Sequence, residues 1–312
     1  VQHNDLTTIT PDDPGSVAAA LAAIPDAELQ RLGREARWLL DDDDVTYRPS
    51  GTEADTRWLL DPVPLVLAPD EWARIEAGVV QRAELLNLVL SDLYGPRELL
   101  RTGLLPPEVV YAHPGFLRAV DRVRLPGFHQ LTVCATDLMR TPDGGWTPVS
   151  DRTQVPSGAA YALQNRSVLA KLLPDLHRAA GVERLAPYVR ALRGALQTAA
   201  PAHIDEPRIA VLSGGATAET SFEHANIAGL LGYPLVEGPD LSVRDGQLWL
   251  RSLGGDHARI DVLLRRVAAW WCDPLELRGD SHLGTPGLVE ATRRGGLSVV
   301  NTLGSGVLEN PG

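Results

Sequence analysis

Residues Thr132 to Arg166 read TVCATDLMRTPDGGWTPVSDRTQVPSGAAYALQNR, and this stretch decides how the chain is understood. TVCATDLM is rich in β-branched and apolar residues and predicts a strand. Pro142-Asp143-Gly144-Gly145 is turn chemistry, and Trp146 to Asp151 predicts the returning strand. Folding about that turn is expected to set Asp137 almost opposite Asp151. Side chains paired across strands lie roughly 5 Å apart. Two carboxylates at that spacing repel unless a proton or a cation lies between them. Mg²⁺, a hard ion that prefers oxygen and often takes only one or two carboxylates, suits such a gap. The plainer alternative is a surface hairpin with two solvated acids. Beyond Asp151 the chain is expected to run through a polar loop to Asn165 and Arg166.

On the N-terminal side, Pro11-Asp12-Asp13-Pro14 is loop chemistry. Ser16 is expected to cap a helix that Pro25 ends. Ala27 to Leu40 has apolar residues at helical spacing. A longer helix starts at Asp70-Glu71-Trp72 and carries a stripe of Ile75, Val79, Val80, Leu85, Leu86, Val89 and Leu93, ending at Gly95-Pro96. The stripe is expected to be core. Arg82 and Asn87 lie on its polar side, within reach of a ligand.

On the C-terminal side, Ser167 to Leu173 and Leu185 to Ala199 predict helices, and Pro201 to Pro207 reads as a connector. Arg208 to Leu212, the helix Phe222 to Leu231 and Pro234 to Val236 form a βαβ unit. Ligands in such sheets bind outside the carboxyl ends of the strands. Ser213, Gly214 and Gly215 occupy that place, either as a substrate-facing turn or for the turn alone. The turn lacks the G-x-G-x-x-G pattern of dinucleotide sites. Leu241–Val243 and Leu248–Leu250 form a hairpin about Arg244-Asp245-Gly246. Ile260 to Leu264 reads as one buried strand, with Arg265 and Arg266 just past its carboxyl end. Guanidinium groups there suit carboxylate or phosphate contact; the alternative is an internal ion pair with Asp273 or Glu276. Gly287 to Arg294 predicts a helix and Ser298 to Asn301 a last strand.

These segments together resemble the circularly permuted ATP-grasp family, relatives of glutathionylspermidine synthase. The hairpin with its two acids, Pro156-Ser157-Gly158, Tyr161, Leu163 and Asn165-Arg166 carry the resemblance first. Upstream it rests on Gln81-Arg82, Leu85-Leu86-Asn87, Asp92-Leu93-Tyr94-Gly95-Pro96, Gly103 to Pro107 and His113-Pro114-Gly115-Phe116. Downstream it rests on Phe222-Glu223-His224, Leu235 to Gly238, Leu253-Gly254-Gly255, Arg265-Arg266-Val267, Cys272 to Leu277, Asp280-Ser281, Pro286-Gly287-Leu288 and Asn301 to Gly306. It covers roughly residues 45 to 312.

The resemblance implies an α/β fold with α+β elements in three parts. Residues 1–125 would form a mainly helical region. Residues 126–203 would form the catalytic-strand, metal-binding segment. Residues 204–312 would form a Rossmann-like pre-ATP-grasp domain. It implies ATP-dependent joining of a carboxylate to an amine through an acyl-phosphate, with ATP and Mg²⁺ as cofactors and a small peptide or amino-acid-like substrate. Asp137 and Asp151 would hold the metal. Ser157, Gly158 and Asn165 would contact the cofactor, and Ser213, Gly214 and Gly215 the substrate. Arg166, Arg265 and Arg266 would serve catalysis, with Arg166 near the phosphates. Arg152 cannot ligate a cation, which leaves Thr153 or Gln154 for the third ligand. The rival expectation is a non-catalytic module that keeps the fold and binds a peptide or a partner.

The net charge of −11 over 312 residues argues against a nucleic-acid binder, which needs a basic face. Two cysteines, Cys134 and Cys272, have no metal-ligand spacing and fit a reduced, cytoplasmic setting. No apolar run is long enough to cross a bilayer. His113, His224 and His257 form no metal pair. Lys171 is the only lysine. It matches no position of the lid that grips ATP in the family, and a GC-rich genome would equally explain so few lysines. Because the family pattern would run on past Glu309 to Gly312 into that lid, the resemblance implies an N-terminal piece of a longer protein.

Overall fold

A computed structural model describes residues 14–251 and 258–310. Pro11-Asp12-Asp13, the Leu253-Gly254-Gly255 motif and His257 lie outside these residues. Along the chain the elements are α1 (Pro14–Ala22), α2 (Asp26–Asp42), β1 (Thr46–Tyr47), β2 (Thr56–Arg57), α3 (Pro69–Leu93), α4 (Glu98–Arg101) and α5 (Pro107–Tyr111). There follow β3 (Ala135–Arg140), β4 (Trp146–Arg152), α6 (Ala159–Leu172), α7 (Pro174–Ala179) and α8 (Ala186–Thr198). The remainder comprises β5 (Ile209–Leu212), α9 (Ser221–Leu231), β6 (Leu235–Val236), β7 (Leu241–Arg244), β8 (Gln247–Leu250), β9 (Ala258–Ile260), β10 (Val262–Arg265), α10 (Leu288–Arg293) and β11 (Ser298–Val300). This is a mixed α/β architecture.

The chain divides into two compact units. One joins Val1–Gly78 to Gly158–Pro187, and the other joins Val79–Ser157 to Tyr188–Gly312. The Pro201–Pro207 connector lies inside the second. In the first unit, α2 buries Leu32, Ala36 and Leu40 at i, i+4 and i+8, one face of a helix. A small core gathers Val17, Leu21 and Leu176. Ser16 lies inside α1 and so does not cap it.

The second unit is built on a parallel sheet with strand order β11-β10-β5-β6. Strands β5, β10 and β11 are buried at every position, as fits strands covered on both faces. The expected βαβ unit is β5-α9-β6. The expected single strand from Ile260 is two strands. β9 ends at Ile260 and pairs with β8 in an antiparallel sheet. β10 starts at Val262, across Asp261, and joins the parallel sheet. The β7–β8 turn is Asp245-Gly246, both at positive φ (52° and 72°), which matches the right-handed twist of a tight hairpin.

The core of this unit runs from Leu90 and Leu93 of α3 through the sheet to Leu303 and Val307. The α3 stripe is only partly core. Val80 and Leu85 are exposed, since they sit far round the helix from Leu90 and Leu93. Helix α6 starts at Ala159, so Asn165 and Arg166 lie on a helix rather than in a loop.

Candidate functional site

The β3–β4 hairpin pairs outward from its turn as Arg140 with Trp146, Met139 with Thr147, and Leu138 with Pro148. Pro148 supplies no backbone N–H, and a bulge follows it. Val149 is skipped, and the register resumes with Asp137 opposite Ser150 and Thr136 opposite Asp151. The expected pairing of Asp137 with Asp151 is therefore corrected: it needs two extra residues on β4, and the bulge supplies one. Neighbouring residues on a strand face opposite ways. Asp151 shares a face with Thr136, whose hydroxyl donates to its Oδ1 at 2.8 Å. Asp137 lies on the other face, where Ser150 Oγ donates to its Oδ2 at 2.6 Å and Arg152 reaches it at 3.0 Å.

Each carboxylate has its own cation. Arg82 of α3 grips Asp151 through Nε, 3.0 Å from Oδ1 and 2.8 Å from Oδ2, and through a terminal nitrogen 2.7 Å from Oδ2. The Asp151 side chain is only 5% exposed. The bond to Asp151 raises the Arg82 pKa above its ordinary value. The Ser150 hydroxyl, and then Arg152, hold Asp137 below the usual carboxylate range. No cluster of three or more His, Cys, Asp or Glu side chains able to hold a metal occurs among the described residues. As arranged, Asp137 and Asp151 do not fit a shared Mg²⁺ site.

The segment after β4 is bonded closely to the end of the parallel sheet. Glu309 Oε1 accepts from the backbone N–H groups of Thr153 and Gln154, both at 2.7 Å. The Thr153 hydroxyl donates to Ser305 O, and Gln154 Oε1 accepts from Ala269 N at 2.7 Å. Asn301, just past β11, is the most connected of these residues. Its Oδ1 accepts from Thr132 N and Val133 N at 2.9 Å. Its Nδ2 donates to Val133 O and Thr153 O at 2.6 Å. Thr153 and Gln154 are thus spent on structure, which removes them as free third ligands. Asn87 acts in a similar way on α3: it is buried, and its Oδ1 accepts from Gln130 N and Leu131 N.

Because the chain leaves β5 toward β6 but later returns to β5's other side with β10, the sheet has a switch point between β5 and β10. Open α/β sheets form ligand crevices at the carboxyl ends of such strands. Ser213, Gly214 and Gly215 follow β5 there, and Arg266 follows β10. Arg266 donates to Pro156 O at 2.7 Å, to Ser157 Oγ at 3.0 Å and to Glu223 at 3.2 Å. Burial lowers its pKa, opposed by the Glu223 carboxylate. The Pro156-Ser157 loop is thus tied to the switch point, and Ser157 carries this bond.

Arg265 is corrected from a ligand-facing group. It is 1% exposed and donates to the carbonyls of Asn301, Val267 and Thr302 and to Ser305 Oγ. Burial pushes its pKa down to about 10. Neither arginine pairs with Asp273, which instead accepts backbone N–H groups of Leu275, Gly287 and Val289. Ser213 Oγ lies 2.9 Å from Nδ1 of buried His224, and Thr220 Oγ1 lies 3.1 Å from its Nε2. Desolvation, with Arg266 nearby, pushes the imidazole down to about 3.

The other expected residues lie in the first unit. Gly158 caps α6 at φ 122°, a conformation that favours glycine. Asn165 Oδ1 accepts from the Trp58 indole at 2.8 Å, and Trp58 stacks on Tyr161 at 4.4 Å. Arg166 donates to Glu183 O. A cavity of about 20 Å³ in the second unit, lined by Leu90, Tyr94, Val120, Leu125 and Leu303 among others, has room for about one water and not for a nucleotide. The Arg82 clamp and the Glu309 contact carry no signal in the sequence, because neither follows from spacing within one element.

A bulged hairpin hydrogen-bonded to the end of a parallel sheet with a switch point is thus set within a mixed α/β fold. The chain belongs to the circularly permuted ATP-grasp type 2 family, whose pattern matches residues 64–312. It is 48% identical over 318 residues to Rv2567, an uncharacterised protein of Mycobacterium tuberculosis, with 96% of this chain and 36% of that protein covered. It is 36% identical to sll0335, an uncharacterised protein of Synechocystis, over 80% of this chain and 52% of that protein. It is 35% identical to Rv2411c, also uncharacterised, over 85% of this chain and 48% of that protein. The chain thus spans between about a third and a half of the length of these relatives. No helix among the described residues is long and apolar enough to cross a membrane.

Proposed function

We propose that this chain is part of an ATP-dependent carboxylate–amine ligase of the glutathionylspermidine synthase-like kind. The observation that carries this reading is the family match over residues 64–312. A carboxylate oxygen of the substrate would attack the γ-phosphorus of ATP, releasing ADP. An amine nitrogen would then attack the acyl carbon, and phosphate would leave with the original carboxylate oxygen. Ser213, Gly214 and Gly215, at the carboxyl end of a switch-point strand, support a small peptide or amino-acid-like substrate there. Ser157 lies in the loop tied to that point by Arg266. ATP and Mg²⁺ are the family's cofactors. Since Asp137 and Asp151 do not share a face, no step is assigned to a metal held by that pair.

The test is isotopic. Carboxylates labelled with ¹⁸O, incubated with ATP, a panel of amines and a protein containing this chain, are expected to pass one ¹⁸O to phosphate with each amide formed. ADP release without that transfer sinks the ligase reading. A second reading is a non-catalytic module that binds a peptide or partner protein. It is favoured by the internal pairing of Arg82, Arg152, Arg265 and Arg266, which leaves the expected charged groups engaged.

A further inference from the structure

We propose that Arg82 is the resident counter-ion of Asp151, and that this carboxylate anchors α3 to the hairpin instead of ligating a metal ion. Both carboxylate oxygens are already engaged. Oδ1 accepts from Arg82 Nε and from the Thr136 hydroxyl, and Oδ2 accepts from Nε and a terminal nitrogen of Arg82. The group is 5% exposed, so it lacks the open coordination positions that a hydrated Mg²⁺ keeps. A cation entering here would have to expel a guanidinium whose forked donors match a carboxylate closely.

The neighbouring carboxylate cannot assist. The Val149 bulge sends Asp137 to the opposite face, where Ser150 and Arg152 hold it. On each face of the hairpin one acid is thus paired with one arginine. Arg82 and Asp151 stand 69 residues apart, so this ion pair closes a long loop of chain. Within this bidentate pair the carboxylate is buried while the Arg82 side chain is 41% exposed, so removing the arginine is what leaves an uncompensated buried charge.

The proposal bears on the ligase reading, because it removes Asp151 from the cofactor's ligands, but its test does not depend on turnover. Mn²⁺ binding, read by electron paramagnetic resonance, and melting temperature are measured on the 312-residue chain and on Arg82→Gln, Asp151→Asn and the double variant. We expect no Mn²⁺ site that Asp151→Asn removes. We expect each single variant to lower the melting temperature by roughly 5 °C and the double variant to lose no more than the worse single. A Mn²⁺ site in the unsubstituted chain that Asp151→Asn removes would overturn the proposal, as would additive losses in melting temperature. Where Asp151→Asn fails to fold, Arg82→Lys keeps the charge but not the fork. We then expect a smaller melting loss than for Arg82→Gln, because the charge is kept and the fork is lost; an equal or larger loss would overturn the proposal. An ¹⁸O experiment without transfer would sink the ligase reading and leave these results standing.

Discussion

His224 shows what burial does to a single side chain. Its imidazole lies between the hydroxyls of Ser213 and Thr220, is 2% exposed, and is pushed down to about 3. The folded state therefore holds it neutral, while the unfolded chain protonates it near its ordinary value of about 6.5. The unfolded state binds more protons between those values, so stability falls as pH drops below about 6.5. The loss from this residue approaches about 1.4 kcal/mol per pH unit until pH nears the folded value. Urea unfolding from pH 7 to pH 4 is expected to show that slope, and His224→Gln to flatten it. An equal slope in the variant would mean that other groups set the pH dependence. Burial likewise pushes the Cys272 thiol up to about 11, with Arg265 opposing. Iodoacetamide at pH 8 is expected to leave Cys272 unmodified until urea unfolds the chain; rapid native labelling would contradict its burial. At this scale the sequence was informative about kinds of residue and poor on their partners. The apolar run around Arg265 signalled a buried strand. Nothing in it signalled that backbone carbonyls, not an acid, would receive the guanidinium.

Elements were more legible than contacts. Helices α2, α3 and α8, the β5-α9-β6 unit and both turn-rich hairpins follow from periodicity and turn chemistry, which act over a few residues. Two features escaped. The break at Asp261 lies inside a continuous apolar run, where periodicity cannot separate two buried strands. The bulge at Val149 depends on how β4 meets β3, and a one-residue shift turns every later side chain to the other face. The anchoring of the hairpin can be tested directly. Glu309→Ala removes the acceptor shared by Thr153 N and Gln154 N. Two bonds to a charged acceptor are lost, about 3–6 kcal/mol in all. Hydrogen exchange at those two amides is expected to accelerate at least tenfold, while amides of β5 and β10 change little. Uniform acceleration would indicate global destabilisation instead of local release.

At the scale of the molecule, family membership was legible because motifs recur in order along most of the chain. Its division into units was not, since each unit joins segments distant in sequence. The chain alone is expected to bind ATP weakly, with Kd above about 100 μM by calorimetry, or less than about 5.5 kcal/mol of binding free energy. The hairpin acids are occupied by arginines, and the chain covers 36% of Rv2567. Micromolar affinity would refute this expectation. Gly304 is packed so closely on Tyr94 that an added methyl would overlap the buried ring. Gly304→Ala is expected to cost about 1–3 kcal/mol in chemical denaturation, and an unchanged midpoint would show that the ring can move aside. The carboxamide of Asn301 addresses Thr132 and Val133 only through their main chain, which every amino acid shares apart from proline's missing N–H. Tolerance to mutation should therefore be lopsided across this contact. A saturation library is expected to accept many side chains at position 133 and reject proline, yet accept almost nothing in place of Asn301. Sequence drift can rewrite one partner freely while the other stays fixed, so covariation would miss a contact on which the hairpin depends.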